Sequence, residues 1–579
     1  MIGLLTNNFV PVMFAGLMVF LLVGFPVAFS LAATGLFFGF VGMELGLFPS
    51  NLFQALPLRV IGIMQNDTLL AIPFFTLMGI ILERSRMAED LLETVGQVFG
   101  PLRGGVGIAV VLVGALLAAT TGVVAASVIS MGLIAMPIML RYGYNRTIAT
   151  GTITASGTLA QALPPSLVLI VLADQLGRSV GDMYAGALLP GLLLVGLYLL
   201  FIVVVAFVKP HWVPALPPEA RIYVEPSGAS GHRSLVVLLL VSGAVAFAWS
   251  RVHTSIMNPL LGREMAPGRD EVFILSTTIG AFLALALALI NKTFGIGLLS
   301  RLTERVTFVL IPPLVLIFLV LGTIFLGIAT PTEGGAMGAL GALLMAMGRR
   351  SLSFDLLKQA LENTSKLAIF VMFILIGSTV FSFTFNAADG HVWVEQLFAK
   401  LPGGQLGFLL FVNLLVFVLG MFIDFFEIAF IVVPMLAPVA NKLDINLIWF
   451  GVILAMNLQT SFLTPPFGFA LFYLRSVAAR NDYDDVVTGR RIKAVTTAQI
   501  YQGSIAFIVL QIIMVVVIVL NPGLVTGNID KPVLVDDKTL ENMFENLPDQ
   551  DYRTPLYGDT PAQNSEGAAL DPVTPKPAE

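Results

Sequence analysis

"SGTLAQALPPSLVLIVLA", residues 156–173, reads as a membrane helix except for Pro164 and Pro165 at its centre. A proline inside a helix removes one backbone donor and clashes with the carbonyl one turn earlier, at a cost of about 3 kcal/mol. Two in succession mark a break. The same device returns in "NLQTSFLTPPFGFALFYL", residues 457–474, with Pro465 and Pro466.

Other segments repeat at the same distance. "GFPVAFSLAATG" from Gly24 matches "ATPTEGGAMGALG" from Ala329, and "IAMPIMLRYGYN" matches "IVVPMLAPVANK". The pairs Pro26 and Pro331, Ala71 and Ala368, Pro137 and Pro434, and Pro164 and Pro465 are offset by 305, 297, 297 and 301 residues. Four landmarks with one near-constant offset predict an internal duplication.

Composition sets the environment. The 579 residues are 57% hydrophobic and 12% charged, with a mean hydropathy of +0.91, far from a soluble domain. Runs such as 185–208, 306–328 and 498–521 each supply the roughly 20 apolar residues a crossing needs. The alternating short segments of a membrane β-barrel are absent. An all-α polytopic membrane protein is expected, with the N-terminal "MIGLLTNNFVPVMF" as part of the first span and not a cleaved signal, since no basic n-region precedes it.

Each repeat divides into three spans, two short apolar arms, a broken span and a last span. The arms at about 106–120 and 124–140 flank "ATTGVVAAS"; such short arms suit a re-entrant hairpin. Five crossings per repeat is odd, so the second copy is inverted. Two further apolar segments, about 234–250 and 272–291, preserve the inversion. The predicted organisation is a first repeat over 1–208 (hairpin about 106–140, broken helix about 147–175) and a linker over 209–305 with two extra transmembrane helices. A second repeat follows over 306–522 (hairpin about 405–440, broken helix about 446–475), then a soluble acidic tail over 523–579. Twelve crossings and two hairpins result. With the base of the first hairpin placed inside, the inner loops hold 20 basic residues and the outer loops 7, as the positive-inside rule requires. That orientation puts the N-terminus and the tail on the periplasmic side.

No cysteine is present, which excludes disulfides and thiolate chemistry, and no GxxxxGK[ST] stretch offers a nucleotide site. His211, His232, His253 and His391 fall in predicted loops without metal-site spacing, and are expected to be solvated. Paired carboxylates or histidines within the spans, which an intramembrane enzyme would need, are confined to Asp424 and Glu427, so no enzymatic activity is expected. Nothing points to nucleic acid.

A helix broken at mid-membrane frees carbonyls that a hard cation can satisfy, and helix N-termini that suit an anion. Candidate Na+ ligands are Ser156, Gly157 and Thr158 before the first break, with Asn457, Gln459 and Thr460 before the second, and Asp424 at the second hairpin tip. Candidate substrate contacts are Thr120, Thr121 and Gly122 at the first tip, and Pro164, Pro165, Pro465 and Pro466 at the breaks. A carboxylate such as Asp424 at mid-membrane should be paired, protonated or bound to a cation. Glu333 reads as a helix cap, and Gly334, Gly335, Gly338 and Gly341 as a packing face.

The ordered set "GFPVAFSL", "LLAIPFFTLMG", "MPIMLRYGYN", "GTLAQALPPSLVL", "GIATPTEGGAMGAL", "LGMFIDFFEIAFIVVPMLAPVA" and "NLQTSFLTPPFGFALF" resembles the large membrane (M) subunit of the tripartite ATP-independent periplasmic (TRAP) transporters. The resemblance runs from about residue 10 to 522. It implies a Na+-driven elevator-type secondary transporter of the bacterial inner membrane, which takes an organic acid, such as a C4-dicarboxylate, from a periplasmic substrate-binding protein. It also implies a separate small four-helix membrane subunit, since little sequence precedes "GFPVAF". The first tip departs from the family's Gly-Ser-Ser pattern with Gly122, Val123 and Val124, leaving backbone and Thr120 or Thr121 as ligands. The linker helices and the tail are read as additions to the family core. The alternative reading is a stand-alone ion-coupled carboxylate carrier of the same architecture.

Overall fold

The computed structural model describes residues 6, 8–223, 231–262, 267–399, 402–485, 487–527 and 529, so nearly all of the acidic tail lies outside the described residues. Among these, the only strand pairing is a two-residue antiparallel ladder, Tyr483–Asp484 with Arg491–Ile492. Everything else is helix and turn. Among the described residues nine helices are long and apolar enough to cross a membrane, or eleven if each of two bent pairs is one span. The nine include the second arm of each hairpin and leave out both broken spans, the short helix Phe9–Val23, the glycine-rich helix Pro331–Gly348 and the bent span Leu52–Arg84, so two fewer and five more give the expected twelve.

The first hairpin is Gly105–Thr121 and Val124–Arg141. Gly122 turns the chain at φ 60°, a conformation that favours glycine, and a Cβ there would sit 2.9 Å from Leu167 Cγ. At its base, Gly104 N–H donates to Val213 O (2.9 Å) and Asn145 N–H to Trp212 O (2.8 Å), so the segment after residue 208 straps both ends of the hairpin. The broken span follows: Arg146–Thr158, a 3-10 turn Leu159–Gln161, five residues of turn and bend, then Leu167–Gln175. Ser166 caps the second piece by accepting from Val168 N–H at 3.2 Å.

The second copy has the same parts. Its hairpin is Gly404–Leu419 with a return arm that starts at Phe425–Glu427, passes through a π-helical turn Ile428–Val432 and ends in Val433–Lys442. The hydroxyl of Ser378 donates to Phe430 O within that turn, the kind of side-chain insertion that diverts a helical ladder. Its broken span is Leu447–Phe462 and Phe469–Val477. Asn145 and Asn446 cap the two broken spans, each accepting from the N–H two residues on (2.9 and 3.0 Å). Their separation is the 301 residues that separate the Pro-Pro pairs.

Around these parts the outer helices pack through small residues. Gly35 lies against the Val380 backbone and Gly377 against that of Ala28, joining Val27–Glu44 to Phe354–Ala387. Gly338 sits on Met78 and Gly341 on Leu316, so the small-residue face of Pro331–Gly348 is a packing face. Glu333 completes a capping box with Thr330 at the start of that helix. The linker forms two helices, His232–Leu261 and Arg269–Phe294.

The histidines depart from expectation. His253 lies inside a helix and is fully buried. Trp249 Nε1–H donates to its Nδ1 (3.2 Å), and its Nε2 faces Glu271 Oε1 (3.1 Å) on the neighbouring helix. Burial here comes from pairing with another helix, which loop assignment cannot register. His232 and His391 also lie in helices. No group of metal-binding side chains occurs among the described residues.

Candidate functional site

Each broken helix turns one face to its own repeat's hairpin and the opposite face to the other repeat. In the first, Ser156 and Gly157 meet the hairpin arms: a Cβ on Gly114 would lie 2.4 Å from Ser156 Cβ, and one on Gly157 the same distance from Val128 Cγ2. Ser156 is buried and donates to Thr152 O (2.6 Å). Thr154 and Thr158 donate likewise to carbonyls within their own helix, as does Thr120 at the tip (2.8 Å to Leu117 O). A hydroxyl whose proton is spent on a carbonyl three or four residues back keeps lone pairs for a cation. The side chain of Thr121 lies outside what is described.

The second half offers amides in place of hydroxyls. Asn457 Nδ2 donates to Asn413 O on the hairpin arm (2.6 Å), while Oδ1 of Asn413 is buried with no donor. Gly420, where the arm ends, lies over Ser461. Asp424 and Glu427 form a capping box: Asp424 N–H donates to Glu427 Oε2 (3.0 Å), and Phe425 N–H to Asp424 Oδ1 (2.7 Å). Two carboxylates thus sit within one turn at the tip, and neither has an ion-pair partner among the described residues. Thr460 is buried and donates to Met456 O (3.2 Å).

Thr158 and Gln459 behave differently from the other candidates. Two residues apart on a helix means about 200° around its axis, so they face away from the hairpins that Ser156 and Asn457 contact. They meet each other instead, Gln459 Nε2 lying 3.4 Å from Thr158 Oγ1 and 3.3 Å from the Tyr198 hydroxyl. Gln511 Nε2 donates to the same hydroxyl at 2.7 Å. All four are buried. A phenol accepting twice still has a proton to give; turning the Gln511 amide would place Oε1, which lacks a donor, against it.

The two breaks are unequally accessible. Pro164 and Pro165 are wholly buried, whereas Pro466 and Phe467 are exposed. The Phe467 ring lies 4.9 Å from that of Phe422 at the second tip, tilted by 41°, so the tip packs against this exposed break. Sequence reading missed Asn413, Ser461, Tyr198 and Gln511. Asn413 and Gln511 could have been flagged as amides inside otherwise apolar helices; the other two carried no local signal.

Comparison with known proteins bears on this arrangement. The family model described as "Tripartite ATP-independent periplasmic transporter, DctM component" matches residues 14–262 and 271–524. This chain belongs to the DctM family. The match includes both linker helices and omits only 263–270 between them, so the pair is part of the family core and not an addition to it. The C4-dicarboxylate TRAP transporter large permease DctM of Pseudomonas aeruginosa is 27% identical over 432 residues, 74% of this chain and 82% of that protein. The sialic acid TRAP large permease SiaM of Vibrio cholerae is 24% identical, covering 79% and 87%. The isethionate TRAP permease DctMQ of Oleidesulfovibrio alaskensis is 24% identical, covering 81% of this chain and 60% of that longer protein. These relatives are transporter permeases whose named substrates differ from one another.

Proposed function

We propose that this DctM chain is the large permease of a Na+-coupled transporter that takes up an organic acid across the bacterial inner membrane. A periplasmic binding protein delivers the acid, and a separate small four-helix membrane subunit completes the complex. The observation that carries the reading is one arrangement made twice: a broken helix bearing hydroxyls or amides, packed against a hairpin tip, at an offset of 301 residues. Such paired discontinuities mark ion and substrate sites in carriers built from repeats.

The inverted relation of the repeats is supported by Thr158 and Gln459. They are counterparts at the 301-residue offset and also touch each other. Counterparts meet only on the axis that relates two copies, as in an isologous interface. Ser156, Gly157 and Thr120 would hold one Na+ with backbone carbonyls of the first break. Asn457, Thr460 and Asp424 would hold another, and the orphaned Asn413 Oδ1 beside Asn457 fits a cation there. The substrate carboxylate would lie between the tips and the open break at Pro466, against freed helix N-termini.

Uptake into proteoliposomes holding this chain and its small subunit tests the reading, with and without an inward Na+ gradient and binding protein. Uptake should require both. Uptake of free substrate without binding protein would make the chain a self-sufficient carrier.

A further inference from the structure

Away from the breaks, the linker helices carry a second kind of chemistry at the end marked by Arg233. A cavity of about 460 Å³ is lined there by Tyr223, Lys292, Arg301, Glu304, Arg305 and Phe308. Three cations therefore surround one carboxylate, and Glu304 is already engaged, accepting from Asn291 Nδ2 at 2.6 Å. Arg305 reaches back to Asp90 (3.2 Å) with one nitrogen, while its Nε is buried with no acceptor. Lys292 is exposed, stands 4.9 Å over the Phe308 ring, and pairs with no carboxylate among the described residues.

Beside this cavity, across the turn that joins the two linker-side helices, lies a groove of about 350 Å³ with Arg233 and Ser234 at its rim and Val237, Val241, Leu287 and Ile290 along its floor. The two share the stretch 291–301: Asn291 and Leu299 line the groove, and Lys292 and Arg301 the cavity. A cationic cavity calls for an anion, and an adjoining apolar groove calls for a hydrocarbon chain. One molecule in the surroundings of a membrane helix carries both. We infer that Lys292, Arg301 and Arg305 bind the phosphate of an anionic phospholipid, whose acyl chain lies in the groove between the linker helices. Basic pockets between membrane helices recognise headgroups on this electrostatic basis, and the apolar groove distinguishes the site from one for a soluble anion. The inference is independent of the transported substrate.

The purified full chain in detergent, mixed with a dioleoyl phosphatidylglycerol or with the matching phosphatidylcholine, provides the test by native mass spectrometry and thermal unfolding. Phosphatidylglycerol should be retained and should raise Tm, and phosphatidylcholine should do neither. Lys292→Gln should weaken phosphatidylglycerol retention about fivefold, and Lys292→Gln with Arg301→Gln about twentyfold. Lys358→Gln, which removes an exposed lysine on another helix, should leave it unchanged. The lipid-free Tm of Lys292→Gln identifies any loss of fold. Equal weakening by all three variants would reduce the effect to general surface charge and overturn the site. Stabilisation by inorganic phosphate that depends on Lys292, without lipid retention, would also overturn it, in favour of a soluble anion.

Discussion

At the residue scale, position on the helix separates the proposed cation ligands from the residues that join the two repeats. Ser156 and Asn457 face hairpins and have oxygen lone pairs to offer, whereas Thr158 and Gln459 are joined to each other on the far face. Removing a cation ligand costs about as much as a hydrogen bond to a charged group, near 1.5 kcal/mol. Ser156→Ala and Asn457→Ala should therefore each raise the half-saturating Na+ concentration for uptake about tenfold. Thr158→Val with Gln459→Leu should leave that value within about twofold and change the unfolding midpoint instead. Uptake titrated against Na+ distinguishes the cases, and unchanged Na+ dependence in Ser156→Ala and Asn457→Ala would remove those residues from the site. The prolines and the hydroxyls near them were legible in the sequence, because their chemistry is at odds with an uninterrupted helix. Which way each side chain points was not, since a two-residue step reverses direction and only the partner helix decides which direction is used. Tyr198 shows the same limit: an aromatic in an apolar run looks like core until Gln459 and Gln511 are found against it.

The next scale is the element, where the hairpins depend on their tips and bases. Gly122 holds φ 60°, and a Cβ there would press on Leu167; the left-handed backbone alone costs another residue about 1 kcal/mol or more. Gly122→Ala should fold, unfold at lower temperature, and lose most uptake, which detergent thermal shift and transport on the same preparation would show together. At its base the same hairpin is clasped to the loop after the second broken helix. Arg141 Nε lies 3.0 Å from both oxygens of Asp485, and Thr488 donates to the same carboxylate through its N–H and its hydroxyl. Burial opposes the charge of Asp485, but the hydrogen bonds from Thr488 and Arg141 outweigh it and hold the carboxyl below its ordinary value of 3.8. A carboxyl depressed in the folded state contributes stability that is present above its unfolded value and lost as pH falls through the folded one. The clasp should therefore persist at pH 5 and be lost only below 3.8, as pH falls through the lowered value that the folded state gives this carboxyl. Asp485→Asn should reproduce at pH 7 the faster proteolysis of the 478–496 loop that the parent chain shows only in acid. The hairpins themselves were readable from arm length and Gly122. The π-helical turn at Ile428–Val432 was not, because the hydroxyl that bonds to it belongs to Ser378, some fifty residues earlier on another helix.

For the whole molecule, the inverted relation of the repeats and the charge of the loops constrain each other. If the copies are inverted, the hairpins enter from opposite sides, so fixing one end of one helix fixes both entrances. In the proposed orientation, which the excess of 20 basic residues against 7 favours, the base of the first hairpin is cytoplasmic, and the second hairpin would then open to the periplasm, with Phe422 of its tip against Phe467 of the exposed break. Two exposed lysines test the orientation: Lys358 on the inner side, and Lys442 at the end of the second hairpin, each more than half exposed. Because the chain has no cysteine, a single one introduced at either place is the only thiol, and no background has to be removed first. In intact cells a membrane-impermeant maleimide should label Lys442→Cys at once and Lys358→Cys only after permeabilisation. The reverse pattern would invert the molecule, place the second hairpin on the cytoplasmic side, and leave a periplasmic binding protein facing the strapped base of the first. Labelling of both in intact cells would mean that the chain between them crosses an even number of times, and would overturn the reading of Phe354–Ala387 as one crossing followed by a hairpin that does not cross.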